Sequence, residues 1–82
     1  MKFTQYFLYT RTRPDRAAIK MEWIEAVDRR PLATQVQQDG RIRKWGYVED
    51  VGKYLRIVLL ADGATLHNAF FDRNFQEPSD ED

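Results

Sequence analysis

Cysteine is absent from this 82-residue chain, and histidine occurs once, at His67. Without cysteine there is no disulfide, no thiolate metal site and no cysteine nucleophile, a composition that suits a reducing compartment and points to the cytoplasm. A lone histidine, with no glycine-rich phosphate loop and no nucleophile elbow, leaves no basis for zinc or serine-triad chemistry, so no metal and no cofactor are expected. Long apolar runs are missing too. The opening Met1-Lys2-Phe3-Thr4-Gln5 has no signal-peptide apolar region, and no segment is long enough to span a bilayer, so no membrane partner is expected.

Net charge is lacking as well, since 13 basic residues meet 13 acidic ones. Their placement is uneven. Glu77, Asp80, Glu81 and Asp82 crowd the last six positions, and residues 1–76 keep 13 basic against nine acidic side chains, a net +4. The reading is a mildly basic single α+β domain over residues 1–75 and a disordered acidic tail over 76–82. With 43% apolar and 32% charged residues, the chain has the composition of a globular protein.

Residues Phe3 to Thr10 carry Tyr6, Phe7 and Tyr9 without glycine or proline, which predicts a first strand. Asp15 stands where an N-cap would start a helix over Arg16 to Arg29. Ile19, Trp23, Ile24 and Val27 recur there at helical spacing, and Pro31 stops the element. Asp39-Gly40 and Asp62-Gly63 then mark two hairpins with two-residue turns. Strands are predicted over Leu32 to Gln38, Arg41 to Val48, Lys53 to Ala61 and Ala64 to Phe71. The expected fold is α+β in the order β-α-β-β-β-β, with one main helix packed on one face of a small antiparallel sheet.

Register sorts the side chains. A two-residue turn at Asp62-Gly63 sets Leu59 opposite Leu66, Val58 opposite His67, Ile57 opposite Asn68 and Leu55 opposite Phe70. One face then collects Leu55, Ile57, Leu59, Leu66 and Phe70 as core, with Asn68 as the odd member. The other face presents Arg41, Arg43, Trp45, Tyr47, Tyr54, Arg56, His67 and Phe71. Guanidinium groups pair with phosphate oxygens and aromatic rings stack on unpaired bases, so this mixture meets the needs of single-stranded RNA recognition. Trp45 and Tyr47 serve equally well to cover a sheet edge, and alternating arginines also serve solubility. The basic cluster Arg11, Arg13 and Arg16 lies at the predicted start of the helix, where an RNA phosphate can meet side chains and free backbone N–H groups together. RNA cleavage without a metal remains open to such residues, with arginine stabilising the charged phosphorane and histidine or tyrosine moving protons.

The stretches Arg13-Pro14-Asp15-Arg16, Trp23-Ile24-Glu25, Asp39 to Trp45, Leu55 to Leu59 and His67 to Phe75 resemble a family of small prokaryotic proteins. That family is in turn similar to the RelE and BrnT toxins of toxin-antitoxin systems, although those are strongly basic. The resemblance runs from about residue 6 to residue 75. It implies messenger-RNA cleavage, a small antitoxin protein as partner, His67 as proton-transfer group, and Arg43 and Arg56 as phosphate stabilisers. Tyr54 joins that catalytic set, and Tyr54 or Trp45 supplies a stacking platform. Arg11, Arg13, Arg16, Arg41, Trp45 and Tyr47 would bind nucleic acid. Two other readings stand beside a metal-independent ribonuclease: a non-catalytic binding or regulatory module using the same face, and a homodimer through exposed edges or aromatics.

Overall fold

The computed structural model describes residues 1–77. It is an α+β arrangement of five strands and three helices: β1 (Lys2–Phe3), α1 (Gln5–Thr10), α2 (Pro14–Ala17), α3 (Met21–Arg29), β2 (Ala33–Val36), β3 (Ile42–Val48), β4 (Lys53–Leu59) and β5 (Thr65–Phe71). The strands lie in the order β1-β5-β4-β3-β2, with β1 parallel to β5 and every other neighbour antiparallel. The sheet is therefore mixed rather than purely antiparallel. Among the described residues, no helix is long and apolar enough to cross a membrane.

The helices cover one face of this sheet. Ile19, Ile24 and Val27 meet Leu55, Ile57, Leu59 and Leu66 in a core that Phe7, Val48 and Ala69 complete. At the contact between α3 and β3 the backbones come close enough that a Cβ on Gly46 would lie 2.7 Å from Val27 Cγ2. Lys44 points to the same side and donates to the carboxylate and main-chain oxygen of Asp28, at 2.8 and 3.0 Å. Its alternation with Arg43 and Trp45 leaves those two on the uncovered face.

Three expectations about the elements change. The predicted first strand shrinks to Lys2–Phe3, and Gln5–Thr10 is helical. Thr4 is the reason: its hydroxyl accepts the Phe7 N–H at 3.1 Å, a capping contact that outweighs the β preference of the aromatic residues. The helix then buries Phe7 and Thr10 and leaves Tyr6 and Tyr9 outside. The single helix over Arg16 to Arg29 divides into α2 and α3, with Asp15 inside the first turn of α2 rather than at an N-cap. Nothing in the Ala17-Ala18-Ile19-Lys20 sequence breaks a helix. The break comes from docking: Arg16 on α2 bonds to β5, α3 packs on β3 and β4, and Ile19 between them turns into the core.

The hairpins differ from the expected two-residue turns. Gly40 adopts φ of 92°, its N–H bonds to Gln37 O, and Gln37 N–H bonds to Arg41 O, so three residues form the loop and Val36 faces Ile42 rather than Arg43. In the last hairpin Leu59 does face Leu66, but the next pair is Val58 with Asn68. His67 is thus the extra residue of a β-bulge. From there every side chain changes side relative to the expectation, because the period of a strand is two. Asn68 and Phe70 leave the predicted core, Ala69 takes the core place, and Phe71 turns to the helical side against Trp23.

Of the predicted tail over 76–82, Gln76 and Glu77 are described. The Tyr54 hydroxyl donates to the Glu77 carboxylate. Residues 78–82 lie outside the described residues.

Candidate functional site

The bulge at His67 builds one wall of a cleft of about 370 Å³ on the uncovered face, lined by Tyr6, Gln37, Arg41, Arg43, Arg56, Val58, His67 and Asn68. Three arginines and the single histidine converge there, and among the described residues no carboxylate lines it. A larger groove of about 570 Å³ lies between the end of α3 and β3, lined mostly by apolar atoms of Trp23, Ala26, Val27, Leu32 and Val48. Its charged residues, Arg29, Arg30 and Glu49, are of mixed sign. The smaller cleft has the more definite chemistry.

His67 is held from two sides. Its Nδ1 lies 3.0 Å from the Thr4 hydroxyl, and its ring stacks on Tyr6 at 4.9 Å between centroids. Thr4 already accepts the Phe7 N–H, so its own proton is free to point at Nδ1. Burial, with a smaller contribution from the nearby Arg41 charge, lowers the His67 pKa below its ordinary value and favours the neutral ring. With Nδ1 accepting from Thr4, the neutral ring carries its proton on Nε2 and is a hydrogen-bond donor there.

Arg56 enters from β4, opposite Trp45 of β3. Its guanidinium lies 4.4 Å from the centre of Phe70 and 3.7 Å from Asp72 Oδ2, while its Nε is buried with no partner among the described residues. Burial first, then the charge of Arg43, lowers its pKa from the usual arginine value, and Asp72 partly opposes the shift. Arg43 bonds to Gln35 Oε1 at 3.4 Å. When the Gln37 amide oxygen is turned towards it, that oxygen accepts from Arg43 Nη2 at 2.7 Å. Arg41 is the most open of the three and pairs with Asp39 at 3.5 Å. Two neighbouring guanidinium groups, those of Arg43 and Arg56, thus face one carboxylate, Asp72, which interacts with both.

The predicted site residues divide into those that meet in this cleft and those that do not. Arg41, Arg43, Arg56 and His67 meet. Trp45, expected as an open stacking surface, is buried: Phe75 stacks on it at 5.2 Å and 14°, and its Nε1 donates to Asp72 Oδ2 at 3.0 Å. Tyr54 lies edge-on to Phe75 and to Tyr47, and its bond to Glu77 raises the phenol pKa, further from any role in proton transfer near neutrality. Tyr47 is exposed.

The Arg11, Arg13 and Arg16 cluster is dispersed. Arg11 donates to Ile19 O at 3.2 Å, and Arg16 donates to Asn68 Oδ1 at 2.8 Å and sits over Phe70. Arg13 is the exposed N-cap residue of α2. Arg11 thus ties the end of α1 to the α2–α3 link, and Arg16 ties α2 to β5. Asp72, at the strand end, pairs with Arg56 rather than with its neighbour Arg73. Among the described residues no three His, Cys, Asp or Glu side chains gather as metal ligands.

Tyr6, Asn68 and Gln37 also line the cleft, and sequence reasoning does not point to them. Tyr6 is hidden because its segment reads as a strand; Thr4 three residues before the buried Phe7 is the capping signal that places it on a helix. Asn68 carries its own signal as the one polar residue on an otherwise apolar face. No family model, no curated protein and no solved structure matches this chain.

Proposed function

We propose that the chain binds single-stranded RNA, seating a phosphodiester in the cleft of Arg41, Arg43, Arg56 and His67, and that it cleaves the strand there without a metal, as the toxins it resembles do. The observation that carries the binding is the pair Arg43 and Arg56, which line the cleft together and lie close enough that the Arg43 charge disfavours that of Arg56. An anion seated on the two guanidinium groups offsets their mutual repulsion. Tyr6, 49% exposed and stacked on His67 by its other side, offers a base the open ring that Trp45 does not.

In the cleavage step the RNA 2′-hydroxyl attacks the adjacent phosphorus. Its proton passes to water, the P–O5′ bond breaks, and His67, protonated once the phosphate is seated, gives its Nε2 proton to the departing 5′ oxygen and returns to the neutral ring. Arg43 and Arg56 face the charge that grows on the non-bridging oxygens. The products are a 2′,3′-cyclic phosphate and a free 5′-hydroxyl. In the toxin reading, a small antitoxin protein holds this cleft closed in the cell.

A second reading, binding without cleavage, is favoured by one observation. When Nδ1 accepts from Thr4 the neutral ring has no free basic nitrogen, and no other histidine is present to take the 2′ proton. Incubating the protein and His67→Ala with RNA in EDTA separates the two. New 2′,3′-cyclic ends from the wild type alone support cleavage. Intact RNA that is nonetheless retained by the protein in low salt leaves a binding module, and intact RNA without retention ends both readings.

A further inference from the structure

We infer that the ring of Phe75 occupies a nucleobase site, and that an RNA whose phosphate sits on Arg43 and Arg56 displaces it to stack a base on Trp45. This inference rests on the phosphate cleft proposed above and adds a second base position to it.

Four observations converge on Trp45. It stands directly across the strand pair from Arg56 and two residues along β3 from Arg43, about 7 Å on a strand. A phosphate on those two arginines therefore has Trp45 within reach of its own nucleotide's base. Phe75 lies over the indole nearly parallel, at 5.2 Å and 14°, the arrangement a stacked base would adopt. Tyr54 meets Phe75 edge-on at 5.1 Å, giving the ring a side wall as well as a floor. Asp72 fixes the indole from its rim through Nε1, leaving the orientation of Trp45 independent of Phe75.

The attachment of Phe75 is slight by comparison. After Asp72, whose N–H bonds to Tyr54 O, and the Asn74 N–H bond to Asp72 Oδ1, no backbone hydrogen bond holds residues 75 to 77 among those described. The segment is fastened by the ring of Phe75 and by Glu77 on the Tyr54 hydroxyl. Glu77 places a carboxylate on the same aromatic row, where it repels an approaching phosphate until the segment lifts. With Tyr6 on one side of the arginines and Trp45 on the other, the cleft would hold one phosphate between two bases.

The test uses the full chain in a Trp23→Phe background, so that Trp45 is the sole tryptophan, with Phe75→Ala and Phe75→Leu compared by thermal melting to confirm that each folds. A fluorescein-labelled oligouridylate hexamer is titrated while anisotropy and Trp45 emission are followed, with inorganic pyrophosphate as a competitor that has charge and no base. The expected result is several-fold tighter RNA binding by Phe75→Ala, less gain for Phe75→Leu, quenching of Trp45 on binding, and equal competition by pyrophosphate in all three. Equal RNA affinity with unmoved Trp45 emission overturns the inference and leaves the phosphate cleft standing. Weaker binding by Phe75→Ala also overturns it, making Phe75 part of the RNA surface. No RNA binding by any of the proteins removes the cleft reading and this one together.

Discussion

Burial works against the charged form of both Arg56 and His67. Arg56 keeps its charge in a half-buried place beside Arg43, with Phe70 beneath it. Replacing it by Gln removes the repulsion along with the cation–π contact, so stability should change by less than about 1 kcal/mol. RNA affinity should fall by about ten-fold or more, the worth of a charge-assisted bond. Denaturant melts and anisotropy on the same variant check both halves, and a large loss of stability would make Arg56 a structural residue first. For His67 the sign of the pH effect follows from its lowered pKa. The unfolded chain, titrating near 6.5, takes up its proton first, so stability falls as pH drops from about 6.5 through the folded value and is flat below it. Proton NMR of the His67 ring should show a midpoint below 6.5 in the free protein and an upward move when phosphate is added, since an anion favours the imidazolium. A midpoint that ignores phosphate would separate His67 from the anion site.

Two elements carry the geometry of the cleft, the α3–β3 contact beneath it and the bulge in β5. At the contact, Gly46→Ala places a methyl 2.7 Å from Val27 Cγ2, and this overpacking should cost about 1–3 kcal/mol. Adding Val27→Ala should recover part of that loss, a coupling that urea melts of the four proteins would measure. At the bulge, deleting residue 67 should join Leu66 opposite Leu59 directly to Asn68 opposite Val58 in a regular ladder, with Ala69 and Phe71 still facing the helices. The deletion variant is expected to fold cooperatively, at a cost of about 2 kcal/mol or less, while losing the cleft wall and its RNA binding. Circular dichroism and melting test the first half, anisotropy the second. A chain that fails to fold would show that the Thr4 and Tyr6 contacts to His67 hold α1 on the sheet.

Across the whole molecule, balanced formal charge conceals one basic cleft, and the consequence is measurable as salt dependence. Three arginine contacts on a single strand predict that the logarithm of the RNA binding constant falls with that of salt at a slope of about −2. Arg43→Ala should reduce that slope by about 0.7. A slope unchanged by the substitution would place the phosphate elsewhere. One edge of the sheet is β2, whose Val36 is 66% exposed, so sedimentation of the free protein would show whether two copies meet there.

Much of this architecture is written in the amino-acid sequence by itself. The three strands β3, β4 and β5, the positions of the two glycine turns, and the alternation of Arg41, Arg43, Trp45 and Tyr47 against Lys44 follow from period-two patterning and turn chemistry, which are local. So does the apolar face of Ile24 and Val27. Tertiary contacts decided the rest. Helix rather than strand over Gln5–Thr10 depends on burying Phe7 while one capping hydroxyl serves both α1 and His67, and no propensity expresses that. The division of α2 from α3 comes from docking on different strands. The bulge at His67 arises because Leu66 and Ala69 both belong in the core although three residues apart, and a flat ladder would bury one and expose the other. Which of many arginines share a cleft is likewise a matter of long-range pairing: Arg43 meets Arg56 only across two strands, while Arg11, alike in sequence, holds α1 to the α2–α3 link and Arg16 holds α2 to the sheet.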